Sequence, residues 1–237
     1  MSQLSFTIGN GRIVGLIGPN GAGKTTVFNV LTGVYQASEG DVIFDGKSIL
    51  GKRPYVIFDK GIARTFQNIR LFSAMTAAEN AMVARHCRSR TGVFGSIVRT
   101  PSQRREEAFI REKAMEALTF MGVDAYADTV ASNLSYGLQR RLEIARAIAS
   151  EPKVLLLDEP AAGMNPAETS ELMKDIARIK DLGIDVLLVE HDMRVVMGVC
   201  DHIVCVDHGV KIAEGNAQQI QNDPKVIEAY LGQPANQ

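Results

Sequence analysis

The segment Gly18-Pro-Asn-Gly-Ala-Gly-Lys-Thr25 follows the apolar run Ile13–Ile17 and precedes a helical pattern. Its spacing, G-x-x-x-x-G-K-T, is that of a loop that wraps a phosphate chain. Glycines let such a loop turn its backbone N–H groups inward, and the helix behind it adds further open N–H groups. Lys24 supplies a point charge for the β- and γ-phosphates, and the Thr25 hydroxyl is a hard oxygen ligand suited to Mg²⁺. The expected phosphate-binding residues are Gly18, Pro19, Asn20, Gly21, Ala22, Gly23, Lys24, Thr25 and Thr26. A strand that ends in this loop, with a helix starting on it, points to a parallel sheet covered by helices.

Two later segments fit the same sheet. "KVLLLDEP" and "DVLLVEHD" are short apolar runs that end in acidic or imidazole side chains. Ligands bind at the carboxyl ends of strands in open α/β sheets, so Asp158, Glu159 and His191 are candidates for one site. Asp158 is expected to hold the Mg²⁺ shell. Glu159 is placed to act as general base towards an attacking water. His191 is expected to contact the γ-phosphate.

The remaining segments read as follows. Leu4–Ile8 is an expected strand, and "GDVIFDGKSIL" a hairpin turning at Asp45-Gly46. From Thr76 to about Ser132 the pattern is mainly helical. Thr76 and Glu79 fit a capping box, and Ile110, Ala114, Ala117, Leu118 and Met121 share one helical face. The stretch "RTGVFGSIVRTPSQRR" reads as a loop insertion. Asn165, Pro166, Glu168 and Gly183 mark the start and end of a helix between the two acidic strands. In "SNLSYGLQRRLEIARAIAS", Leu138, Leu142, Ala145 and Ile148 form an apolar stripe, with Arg140, Arg141, Glu143 and Arg146 mostly off it. Ser135-Tyr136-Gly137 at its start looks like a second anion site.

The formal net charge of −1 creates no field that would attract nucleic acid. Three cysteines do not make a disulfide framework. His202, Cys205 and His208 have a loosely metal-like spacing, but 203–206 reads as a strand and 207–209 as its turn. No apolar run approaches the roughly 20 residues a spanning helix needs, so the chain reads as soluble and any membrane role passes through a partner.

These motifs together resemble an ATP-binding-cassette (ABC) nucleotide-binding subunit. "GPNGAGKTT" is similar to the family's phosphate loop, Gln67 to its Q-loop glutamine, and "LSYGLQRR" to its signature motif. "VLLLDEP" resembles its acidic strand and His191 its switch histidine. The resemblance implies an α/β fold of the P-loop NTPase type: a parallel-sheet core with a short antiparallel β portion, and an inserted helical subdomain. It implies a core from 1–66 and 136–237 and an insertion over 67–135. It adds Gln67 to Thr25 and Asp158 around the magnesium of bound ATP. It also implies a homodimer or a heterodimer with a second ABC ATPase, in which Ser135 and Gly137 complete the partner's γ-phosphate shell.

"RTFQNIRLF", the insertion, "DEPAAGMNP" and the tail "DPKVIEAYLG" are similar to one ATPase type of branched-chain amino acid importers. That implies permease subunits, an indirect solute-binding protein outside the membrane, and a peripheral place on the cytoplasmic face of the inner membrane. Phe72 and the helix from Thr76 are expected to wall the permease docking groove. Urea-type importers, lipopolysaccharide-export ATPases, a non-transport clamp and a non-hydrolysing regulatory subunit are the alternatives. Three positions depart from the family. Leu138 stands where a polar residue is common, and Asn165 where an Asp is usual. Gly18 comes too early for the family's first strand and adenine-stacking aromatic, whose loss weakens ATP binding by about 1–3 kcal/mol.

Overall fold

The computed structural model describes residues 4–86 and 101–231, and the chain divides into two compact units. Residues 1–64 with 153–237 form the sheet unit, and 65–152 form the helical unit. The expected division placed 136–152 with the core. The structure groups them with the helical unit, because the helix over Tyr136–Ala149 packs on the two helices before it.

In chain order the elements are β1 (Ile13–Ile17), α1 (Lys24–Leu31), β2 (Ile43–Phe44), β3 (Lys47–Ser48), α2 (Pro54–Lys60) and β4 (Ile62–Arg64). The helical unit then supplies α3 (Ala77–His86), α4 (Pro101–Phe120) and α5 (Tyr136–Ala149). The chain closes with β5 (Val154–Asp158), α6 (Pro166–Ile179), β6 (Asp185–Val189), α7 (Met193–Val199), β7 (His202–Asp207), β8 (Val210–Gly215), α8 (Ala217–Gln221) and α9 (Pro224–Leu231).

The main sheet runs β4-β5-β6-β1-β7-β8, parallel except for β8, which is antiparallel to β7. β1 and β5 are buried along their whole length, as expected of central strands covered on both faces. Register decides the rest. Asp158 pairs with Val189, Val189 with Leu16, and Ile17 with Cys205. The turns after β1, β5 and β6 therefore leave the sheet at one edge, and each carries a candidate residue.

Val14, Leu16, Phe28, Ile57, Leu156, Leu187, Val189 and Val204 form one apolar cluster within this unit. Burial of each large side chain contributes about 1.5–3 kcal/mol before chain entropy is counted. Leu4, Phe6 and Ile8 pack partly buried against the same cluster. The expected strand over 4–8 is not formed: the segment alternates inward and outward but runs as irregular chain. Side-chain packing alone satisfies that alternation. The small β2–β3 hairpin turns at Asp45 (φ 49°) and Gly46 (φ 70°), the two left-handed positions of a type I′ turn.

In the helical unit the expected face of α4 is buried at Ile110, Ala114, Ala117 and Leu118, with Met121 buried just beyond its end. Thr76 and Glu79 form the expected capping box: the Thr76 N–H donates to Glu79 at 2.8 Å and the Glu79 N–H to Thr76 Oγ1 at 3.2 Å. Pro101–Arg105 is the first part of α4 rather than a loop, since proline at a first helical position removes no needed N–H. The rest of that expected insertion lies outside the described residues.

One reading of α5 is corrected. Leu142, Ala145 and Ile148 are buried as expected, but so are Arg140 (0% exposed) and Glu143 (1%). The helix is enclosed on more than its apolar stripe, and its charges enter the interior as a pair.

Candidate active site

The phosphate loop begins at Gly18 (φ 152°), where a Cβ would lie 2.0 Å from the Val206 carbonyl oxygen. No other residue fits that approach. Gly21 and Gly23 are also left-handed (φ 82° and 103°). The first bond of α1 runs from the Val27 N–H to the Gly23 carbonyl at 3.1 Å. The N–H groups of Lys24, Thr25 and Thr26 are thus open at the helix start, where the dipole also favours an anion. On the loop's other side, the Gly209 N–H donates to the Ala22 carbonyl at 3.0 Å.

Lys24 Nζ folds back and donates to the carbonyls of Gly18 (2.6 Å) and Pro19 (3.0 Å). Burial lowers the Lys24 pKa, and the nearby Glu159 and Cys205 oppose that shift. The ammonium thus rests on carbonyls that are weaker partners than phosphate oxygens.

Asp158 ends β5 and is buried beside Arg64, the last residue of β4, with Nη2 to Oδ2 at 2.8 Å. Arg64 also donates to Asn29 Oδ1 at 2.8 Å and lies 5.2 Å from the centre of the Phe28 ring. It therefore fixes the acid against α1. Sequence reading did not single out Arg64, although a cation ending the short run Ile62-Ala63 was its signal. Asp158 and Thr25 offer hard oxygens on the same edge, a donor set that fits Mg²⁺.

Glu159 follows with φ 47°, a conformation that costs an ordinary residue about 1–3 kcal/mol. Its N–H donates to the Val189 carbonyl at 2.9 Å, which carries its side chain towards the turn after β6. His191 Nδ1 lies 3.7 Å from Glu159 Oε2 and 3.7 Å from Glu190 Oε2. Glu190 is fully buried and accepts the N–H of Ala161 (2.8 Å) and of His191 (3.2 Å). Burial raises its pKa, and those N–H groups and His191 oppose the rise. One carboxylate thus holds the turn carrying Glu159 against the turn carrying His191. Sequence reading did not single out Glu190, whose partner Ala161 lies 29 residues away.

Gln67, Ser135 and Gly137 belong to the helical unit. Ser135 is the N-cap of α5, and its hydroxyl accepts the Leu138 N–H at 3.4 Å. Arg140 donates to the carbonyls of Phe66 (2.7 Å) and Gln67 (2.7 Å), to Glu143 Oε2 (2.9 Å) and to the Tyr136 hydroxyl (3.1 Å). Glu143 in turn accepts the Arg70 N–H at 3.2 Å. The backbone at Gln67 and the start of α5 are therefore built into one polar network. Phe72 is half exposed, and the Arg146 guanidinium lies 5.9 Å from its ring centre.

The three candidates of loosely metal-like spacing have other surroundings. Cys205 is buried in β7 with its thiol pushed up to about 12, first by burial. His202 Nε2 lies 2.9 Å from Glu214 Oε1, and His208 is the first left-handed residue of the β7–β8 turn.

A phosphate loop, an acid pair and a histidine on one parallel-sheet edge define a nucleotide-binding ATPase unit. The family model for ABC transporters matches residues 1–162, and the chain belongs to that family as an ATP-hydrolysing subunit. A second model, for branched-chain amino acid ATP-binding cassette transporters, matches residues 210–236. The chain is 48% identical to the high-affinity branched-chain amino acid transport ATP-binding protein of Pseudomonas aeruginosa, over 94% of this chain and 88% of that one. It is equally similar to the counterpart in Escherichia coli K12, with the same coverage. It is 36% identical to the lipopolysaccharide export system ATP-binding protein of Haemophilus influenzae, over 98% and 91%. Among solved structures, the ADP conformation of the ATP-binding cassette MJ1267 matches with a TM-score of 0.82 at 33% identity, covering 97% of this chain and 91% of that one. No helix among the described residues is long and apolar enough to cross a membrane.

Proposed function

We propose that this chain powers a membrane importer for branched-chain amino acids. The observation that carries the chemistry is the register placing the phosphate loop, Asp158, Glu159 and His191 on one sheet edge. The solute assignment is supported by the 48% identity to two branched-chain amino acid transport proteins and by the matched tail.

The open N–H groups at the start of α1 bind the β-phosphate, and Lys24 exchanges its two carbonyls for phosphate oxygens. Thr25, Asp158 and Gln67 would hold Mg²⁺, which would supply positive charge to offset the charge of the phosphate chain. Glu159 takes the proton of the attacking water, and His191 orients the γ-phosphate. Ser135 and the N–H of Gly137 serve the site of a second ABC ATPase, and loss of the γ-phosphate then opens the pair. Phe72 takes part in docking the permease at the cytoplasmic face of the membrane.

Glu159→Gln tests the chemistry. It is expected to leave ATP binding intact and to cut turnover about 10²- to 10⁴-fold. Turnover equal to wild type rejects Glu159 as the base. Leucine and urea competition in vesicles holding the assembled importer tests the solute, and uptake blocked by urea but not by leucine rejects the assignment. Phe72→Ala is expected to lower transport per ATP hydrolysed, and unchanged coupling rejects the docking role.

A further inference from the structure

The first N–H of the phosphate loop is held from the far end of the chain. The Gly18 N–H donates to the Tyr230 hydroxyl at 2.9 Å, across 212 residues of sequence. Tyr230 stands on α9, a short helix that packs on β8 and α8 and is anchored by Val226 (5% exposed). All of these belong to the sheet unit.

Gly18 is the hinge of the loop. Its Cα sits so close to the Val206 carbonyl that no side chain fits, its own carbonyl receives Lys24, and its φ of 152° sets the direction in which the loop leaves β1. The orientation of the peptide between Ile17 and Gly18 therefore propagates to the N–H groups further along. We propose that Tyr230 is a positioning residue for the phosphate loop, and that through it the C-terminal helix sets nucleotide affinity. Burial pushes the Tyr230 pKa up to about 12, so its hydroxyl keeps its proton across the physiological range. The bond to Gly18 does not switch with pH there. Tyr230 touches no phosphate in this account; it acts through Gly18.

Tyr230→Phe keeps the ring and removes only the acceptor. Titration of the full chain with a fluorescent ATP analogue is expected to give a Kd raised about three- to tenfold, the range set by one net hydrogen bond. In the assembled importer the loss should fall on KM for ATP rather than on kcat, and the melting temperature should stay at the wild-type value. An unchanged Kd overturns the proposal. A raised Kd that comes with a lowered melting temperature also overturns it, because Tyr230 is then a packing residue. The wild-type chain titrated in parallel separates this inference from the reading of the site: wild type that binds no ATP rejects both.

Discussion

In the sheet unit charge stands at the carboxyl edge of the strands, where Arg64 meets Asp158 at 2.8 Å beside the phosphate loop. In the helical unit Arg140 meets Glu143 at 2.9 Å inside the packing of α5. The first pair, with side chains 8% and 9% exposed, serves a place where ligand atoms arrive. The second serves architecture: Arg140 spends two of its donors on the carbonyls at Phe66 and Gln67. A carboxylate stripped of its cation costs more the more fully it is closed to solvent, and Glu143 (1% exposed) is more closed than Asp158 (9%). The two regions should therefore respond very differently to the same chemical deletion.

The largest effect is expected for Arg140→Ala. It leaves buried Glu143 only the Arg146 guanidinium at 4.0 Å in place of the 2.9 Å partner, and removal of one partner of a buried pair costs about 3–5 kcal/mol. Denaturant unfolding of the full chain checks this, and Arg140→Met combined with Glu143→Leu should recover most of the loss. Arg64→Ala is expected to cost less, about 2 kcal/mol, the value of a hydrogen bond to a charged group. Its greater effect should be on turnover, because Asp158 loses the contact that fixes it against α1. Equal stability losses for the two arginines would erase the contrast between the units.

A pH slope comes next. Burial raises the Glu190 pKa above its ordinary 4.5. A group raised in the folded state contributes stability that is complete below the unfolded value and is lost as pH rises through the folded one. Wild type should therefore lose stability relative to Glu190→Gln as pH climbs from 4.5, followed by thermal unfolding at stepped pH. The smallest effects belong to the helix caps. Thr76→Ala in the helical unit and Asn165→Ala in the sheet unit should each cost about 1 kcal/mol by chemical denaturation. Matching losses at those two positions would show that the units differ in buried charge and not in helix-end chemistry.

Legibility in the sequence follows the same line. The phosphate loop, Asp158 and His191 were readable because each is tied to a local pattern, a strand ending in a polar residue. The caps at Thr76 and Asn165 and the turn at Asp45-Gly46 were readable for the same reason: their partners lie within a few residues. Arg140 and Glu143 were not readable, since helical periodicity sorts residues by polarity and a buried ion pair imitates an exposed face. Arg64, Glu190 and Tyr230 act across 94, 29 and 212 residues respectively. No local pattern marks such partners. Leu4–Ile8 shows the converse: the expected strand does not form, and the segment packs through its side chains without backbone pairing.

The central claim is that the start of α5 serves the nucleotide of another subunit. Ser135→Asp tests it directly. Aspartate is as good an N-cap as serine, so the helix keeps its start, while a negative charge replaces the hydroxyl where a γ-phosphate is to sit. The account predicts ATP affinity of the isolated chain at the wild-type value and hydrolysis by the assembled ATPase reduced at least a hundredfold. Weakened ATP binding by the isolated chain, or hydrolysis at the wild-type rate in the assembly, would contradict it.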